Sequence, residues 1–380
     1  VAACAAFLAL VGVAWYISSE IERGGLRAPT PGAPAAPLRI DAVIRSLEPG
    51  VVTLRDAANG STAALRDSVW GLRTSRGWAI AGPVLATGAR EATRGFHLLQ
   101  GSVAPGDTIE VDRKTFPGDP LQGLHIPFEE VVVPGDLGGC PAWRIQGSGA
   151  TWALFVHGKG GGRREALRAL GEIADLGLPA LVITYRNDPE TAASPDGRYN
   201  YGLTEWKDVD AAARYAVSQG AERFILFGYS MGGGIAIRFL AESSLAPRVA
   251  GVVLDAPMLD FGETLDLGIR LKRLPPFGTP VPPISGDIGK WIAAGRFGID
   301  WRALSMIATA ERTQAPMLIF HGDADDIVPI ETSRRLAVAD PAGVRLVTTA
   351  GAGHVESWNA EPRRYRAELR AFVSRVLSAP

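Results

Sequence analysis

Phe224-Ile225-Leu226-Phe227-Gly228-Tyr229-Ser230-Met231-Gly232-Gly233-Gly234 is the stretch whose reading decides the fold. A short apolar run suited to a buried strand ends in Gly-X-Ser-X-Gly and passes straight into the helix-like Ile235–Leu240. A serine on so sharp a strand-to-helix turn has its hydroxyl pushed outward, beside the free N–H groups at the start of the helix. Gly228, Gly232 and Gly233 would let strand and helix approach where a side chain would clash. The chain holds 45 glycines, so the five-residue pattern alone means little; its position between strand and helix gives it weight.

Working outward, apolar runs alternate with helical stretches: Trp152–His157, Ala180–Tyr185, Phe224–Phe227, Ala250–Leu254, Pro316–His321 and Val344–Thr348. Their near-continuous apolarity fits strands covered on both faces. A hairpin, Glu130–Pro134 with Ala142–Ile145, precedes them, and a helix opened by Pro362 closes the chain with Tyr365, Leu369, Phe372, Val373 and Val376 on one face. This alternation predicts a doubly wound, mostly parallel sheet over residues 128–380, with ligands at the carboxyl ends of its strands. Residues 259–305, rich in proline around Leu274–Pro283, interrupt the alternation on that side and are expected to form a small cap or a surface insertion.

Residues 38–127 read differently. Ile40–Leu47 and Val51–Leu54 flank Glu-Pro-Gly as a hairpin, and Ser68–Leu72, Gly77–Ile80 and Asp107–Val111 follow as short strands. A small β-rich, barrel-like module is expected, with His97 and His125 in structural roles. Val1–Ile17 is uncharged and mostly apolar; as a helix it would span ~25 Å against the ~30 Å of a bilayer core. It is read as a single-pass anchor over residues 1–19, with the charges that orient it lying upstream and the domain outside the cytoplasm. Residues 20–37, with Ala28–Pro37 rich in proline and alanine, would be an extended tether. Lys+Arg 39 against Asp+Glu 40, with no basic run, argues against nucleic acid. Two cysteines, Cys4 in the apolar tail and Cys140 in the folded part, make neither a disulfide framework nor a zinc cluster.

A serine hydroxyl needs a base. His354, in the Gly-rich Ala350-Gly351-Ala352-Gly353-His354 after the last strand, can reach Ser230 across the sheet edge. The imidazole needs an acid to hold its tautomer; Asp323, Asp325 and Asp326 follow a strand directly, with Asp255 as an outside alternative. An oxyanion hole needs two donors: the Met231 N–H, and one from the loop His157–Gly162, assigned to the Lys159 amide with Gly160 in reserve. The Lys159 side chain is expected to be a solvated amine. Gly158-Lys159-Gly160-Gly161-Gly162 is not a phosphate loop, in which lysine follows the glycines and precedes Ser or Thr.

With these residues in place, the region from about 128 to 380 resembles the α/β-hydrolase superfamily through His157-Gly158, Gly228-Tyr229-Ser230-Met231-Gly232, His321-Gly322-Asp323-Ala324-Asp325-Asp326-Ile327-Val328-Pro329 and Gly353-His354. The resemblance implies Ser230 as nucleophile, Asp325 ahead of Asp323 as acid, and His354 as base. It implies a serine hydrolase acting on a small acyl substrate, a carboxylic ester before a thioester, amide or peptide, with no metal or organic cofactor; the apolar N-terminal run, outside the resemblance, would tether it to a membrane. Transfer to an acceptor other than water, or a binding module on the same fold, are the alternatives.

Overall fold

Strands β1 (Ala42–Glu48), β2 (Val51–Asp56), β3 (Trp70–Arg73), β4 (Gly77–Thr87), β5 (Glu91–Gly101) and β6 (Thr108–Asp112) close into a barrel of order β1-β2-β5-β4-β3-β6. The structure is a computed structural model that describes residues 2–29, 39–57, 62–274 and 276–378. Alternate residues such as Ile44, Val52, Leu54, Trp70, Leu72 and Ile109 point inward and fill the barrel. β5 escapes a hydrophobic reading because one of its inward positions is Arg94. That guanidinium is fully buried, and it donates to the carbonyls of Ala64 and Arg66 at 2.8 and 2.7 Å and of Gly82 at 2.9 Å.

The second unit is an eight-stranded sheet. It comprises β7 (Glu129–Gly135), β8 (Gly138–Ile145), β9 (Thr151–Val156), β10 (Ala180–Ile183), β11 (Arg223–Tyr229) and β12 (Val249–Asp255). After a two-residue hairpin, β13 (Arg273–Leu274) with β14 (Thr279–Pro280), it is completed by β15 (Met317–Gly322) and β16 (Val344–Thr349). The order is β16-β15-β12-β11-β9-β10-β8-β7, parallel from β16 to β10, with the β7–β8 hairpin antiparallel at the edge. Successive residues feed opposite faces: Phe224 and Leu226 enter one core, Ile225 and Phe227 the other. β9 pairs with β10 on one side and β11 on the other, so the strand order reverses there. That reversal sets the loop after β9 beside the turn after β11, the crevice expected of a doubly wound sheet.

Between β12 and β15 the chain leaves the sheet as helices Phe261–Leu271 and Pro283–Phe297, joined through β13 and β14. Against this cap lies the N-terminal helix, Ala2–Glu20, followed by one π-helical turn, Ile21–Leu26. A Cβ on Gly289 would come within 2.8 Å of Ile17 Cγ2 and 3.0 Å of the Ala14 carbonyl, so the two helices touch backbone to side chain. Ala14, Ile17 and Ile21 are buried. Glu20 pairs with Lys272 at 2.6 Å, and Arg296 donates to Ser18 and Ser19, each at 3.0 Å.

This corrects the expected membrane span. No helix among the described residues is long and apolar enough to cross a membrane, and the inner face of the apolar run is occupied by protein. Nor does the tether begin at residue 20. The π turn is followed by a bridge from Arg27 to Arg198, with Ala28 N donating to Gly197 O at 3.0 Å. Residues 30–38, most of the Pro/Ala-rich stretch, lie outside the described residues.

The barrel is docked on the loop that follows β16. Arg66 holds Glu356 with two hydrogen bonds of 2.7 and 3.1 Å. The buried Asn359 amide reaches the Val69 carbonyl at 2.7 Å and the Arg113 carbonyl at 2.9 Å. Lys114 and Arg164 tie the barrel's exit segment to the loop after β9, the latter through Asp112 at 2.9 Å.

Candidate active site

Ser230 occupies the turn between β11 and the helix Met231–Glu242 with φ 50° and ψ −119°, a conformation that costs a non-glycine residue energy. The turn is fixed from outside: Ser230 N donates to Asp255 O at 3.0 Å, and Met258 N to Ser230 O at 3.0 Å. The glycines around it are sterically required. A Cβ on Gly228 would stand 2.7 Å from Gly232 O, and one on Gly232 would run into the Val156 carbonyl.

His354 Nε2 lies 2.8 Å from Ser230 Oγ, and its Nδ1 lies 2.8 Å from Asp325 Oδ2. Asp325 Oδ1 accepts from Ile327 N at 2.9 Å and Val328 N at 2.8 Å. Burial alone would raise this carboxyl, but the hydrogen bonds from His321, His354 and the loop backbone hold it well below the usual aspartate range. An ionised Asp325 can only accept, so His354 Nδ1 carries the proton and Nε2 is left to accept from the serine.

The other acids are placed elsewhere. Asp323 Oδ1 accepts from Gly351 N at 2.7 Å, which shapes the loop that carries His354. Asp326 lines the cavity that holds Ser230 and His354. Asp255 is buried beneath the serine turn, where desolvation lifts its carboxyl to about 6.

The loop after β9 is over-determined. Gly158 N donates to the buried Glu165 carboxylate at 2.8 Å, and Gly161 N to Gly158 O at 2.9 Å. Burial would raise Glu165, yet Arg113, Arg168 and Lys114 keep it lowered and ionised. His157 turns Nδ1 to Gly158 O and Nε2 to Asp188 Oδ2, both at 2.8 Å. Both partners are acceptors, an arrangement that favours a proton on each ring nitrogen. Burial opposes the resulting charge, while the Asp188 carboxylate raises the ring's affinity for protons. Tyr185 OH donates to His157 O at 3.0 Å. The amides of Lys159 and Met231 donate to no other atom among the described residues, and both residues line the cavity that holds Ser230 and His354.

The Lys159 side chain departs from expectation. It is not solvated: its Nζ donates to the carbonyls of Gly24 and Gly25 and sits 5.5 Å over the Tyr199 ring, and burial draws it down to about 8. Glu165, Asp188, Arg113 and the N-terminal residues were not found from sequence, because none belongs to a motif. His97 and His125 lie away from the cavity. Among the described residues no group of three or more His, Cys, Asp or Glu is arranged to hold a metal ion, and Cys4 and Cys140 are unbonded.

The cavity measures about 510 Å³. Its walls are mostly apolar, with Met231, Met258, Phe261, Leu265 and Ile269 among them, and Arg113, from the segment that leaves the barrel, reaches its rim.

Comparisons with known proteins agree with this architecture. The chain is 23% identical over 226 residues to the uncharacterized protein YqkD of Bacillus subtilis, covering 59% of this chain and 71% of that one. It is 26% identical over 231 residues to the quorum-quenching protein AidA of Acinetobacter baumannii, covering 50% and 74%. Among solved structures, the esterase Pf2001 of Pyrococcus furiosus superposes with a TM-score of 0.54 at 18% identity, over 68% of this chain and 96% of that one. Est1E of Butyrivibrio proteoclasticus, solved with ferulic acid bound, gives 0.50 at 15% identity over 66% and 100%. At these identities the likeness is one of fold. Residues 153–368, more than half of the chain, match the model of the alpha/beta hydrolase family, and the protein belongs to that family.

Proposed function

We propose that the protein is a serine hydrolase that cleaves a small carboxylic ester through an acyl-enzyme on Ser230. The observation that carries this reading is the hydrogen-bonded path from Ser230 Oγ through His354 to Asp325, 2.8 Å at each step, opening into an apolar cavity. As Ser230 Oγ attacks the acyl carbon, His354 Nε2 takes its proton, and Asp325 stabilises the imidazolium. The negative charge that builds on the carbonyl oxygen is received by the Met231 and Lys159 amides. His354 then returns the proton to the leaving alcohol. A water deprotonated by the same nitrogen attacks the acyl-enzyme, and the second collapse frees the acid and restores Ser230.

A cavity of about 510 Å³ suits a small ligand. The esterase name of one structural neighbour, Pf2001, agrees with an ester substrate.

The test uses the full chain, because the N-terminal helix borders the cavity. Turnover of p-nitrophenyl esters that vanishes in Ser230→Ala, with a fluorophosphonate label on Ser230, supports the reading. Labelling without ester turnover would move it to a peptidase or acyltransferase, and neither signal in folded protein would leave a binding module.

A further inference from the structure

The residues of the N-terminal segment that reach the cavity are Ile17, Glu20, Ile21, Gly24 and Gly25. Their spacing is that of one helical face, so the segment offers the cavity a continuous stripe. Opposite in the chain but in the same cavity stand Thr264, Leu265, Gly268 and Ile269, a single face of the first cap helix. The stripe is fastened at both ends. Glu20 binds Lys272 of the cap, Tyr201 OH donates to Gly25 O at 2.6 Å, and Lys159 holds the Gly24 and Gly25 carbonyls from the loop after β9.

The cavity lining comes from two parts of the chain besides the serine turn: Asp326, Ile327 and Val328 beside His354, and the facing stripes of the N-terminal and cap helices. The leaving oxygen takes its proton from His354, so the alcohol lies toward Asp326 and Ile327, which continue the loop of Asp325. The acyl chain is left with the side lined by Ile17, Ile21, Leu265 and Ile269, where the polar lining groups Glu20 and Lys272 are paired with each other. The apolar side chains offer a chain no hydrogen-bonding partner, and each methylene buried among them is worth about fourfold in binding.

We propose that the N-terminal segment Ile17–Gly25 is the wall of the acyl pocket, and that Ile17 and Ile21 set the length of the aliphatic acyl chain the enzyme accepts. The inference rests on the serine-hydrolase reading of Ser230.

The test compares the full-length parent, Ile21→Trp and Ile21→Ala on p-nitrophenyl esters from acetyl to dodecanoyl. Fluorophosphonate labelling of Ser230 reports an intact nucleophile. In Ile21→Trp the ratio of kcat/KM for octanoyl over acetyl ester should fall by at least tenfold. In Ile21→Ala the preferred chain should lengthen. A chain-length profile unmoved in both labelled variants overturns the proposal while leaving the serine hydrolase intact. Should Ile21→Trp lose the label through misfolding, the profile of Ile21→Ala decides alone. A parent that neither labels nor hydrolyses acetyl ester removes the underlying reading, and this proposal with it.

Discussion

Lys159 Nζ donates to the Gly25 carbonyl at 2.5 Å, joining the loop after β9 to a turn 134 residues earlier. The same loop carries the Lys159 amide proposed to receive the oxyanion, so the proposed acyl wall and that donor are tied together by this contact. Lys159→Met keeps the stem and the backbone amide and removes both side-chain hydrogen bonds. Charge-assisted bonds of this kind contribute ~2 kcal/mol, so exchange of the Arg27 and Ala28 amides should quicken about 30-fold. Hydrogen exchange followed by mass spectrometry reads this; unchanged protection would show that the turn is held by its other contacts.

Ser230→Ala should keep the fold and lose about a millionfold in turnover, as nucleophile deletions in serine proteases do. Steady-state kinetics with acetyl ester, beside a melting curve to show that the fold survives, measures it.

Asp325→Asn should lower kcat by about 10⁴. The variant's amide oxygen can still accept from Ile327 N and Val328 N, so the loop keeps its shape. Its NH₂ group would face His354 Nδ1, which must then accept, and the proton moves to Nε2 where it blocks the serine. A near-normal rate would point to a different acid.

Asp255 gives a pH signature in stability. Its folded value, about 6, lies above that of an ordinary aspartate near 3.8, so the folded protein keeps the proton longer than the unfolded chain. The stabilisation from the protonated form is full below about pH 4 and is lost as the pH rises through about 6. Asp255→Asn mimics the protonated form at every pH. Its urea stability should equal the parent's near pH 4 and exceed it by up to ~3 kcal/mol at pH 8, from ~1.4 kcal/mol per pH unit. A constant difference across that range would mean that Asp255 is ionised in the fold.

Asn359→Leu should uncouple the barrel. The change leaves the Val69 and Arg113 carbonyls without their Asn359 donor, and a buried orphan costs ~1–3 kcal/mol. A loss of ~3 kcal/mol or more is expected by denaturant melting. A smaller fall in kcat should accompany it, since the Glu356 clamped by Arg66 also accepts from Gly353 N at 3.1 Å, next to His354.

The parts of this protein legible in its sequence are those where one residue type answers one local need. Gly228 and Gly232 are required by the packing of strand against helix, and Ser230 sits between them. Parallel strands buried on both faces must be apolar throughout, so β9, β11, β12 and β15 are plain to read. Their carboxyl ends, where His157, Ser230, Asp255 and the Asp325 loop emerge, follow from the alternation. β5 was not legible, because its inward Arg94 is satisfied by carbonyls from elsewhere in the barrel. Glu165 and Asp188 were hidden for the same reason, since their partners, the Gly158 amide, Arg113 and Arg168 for the one and His157 for the other, are brought close only by folding.

The N-terminal helix marks the boundary most clearly. Sequence alone determined that the run from Val1 to Ile17 is apolar and must be removed from water. It did not determine what removes it, because leaving water is favourable for apolar surface whether the acceptor is lipid or protein. Tertiary structure decided that for one face only: Ala14 and Ile17 are buried against protein, while Leu8, Val11 and Trp15 stay exposed. Gly289 opens space for Ile17, Lys272 meets Glu20, and Lys159 takes the Gly24 and Gly25 carbonyls, turning a stretch that reads as an anchor into a wall of the cavity.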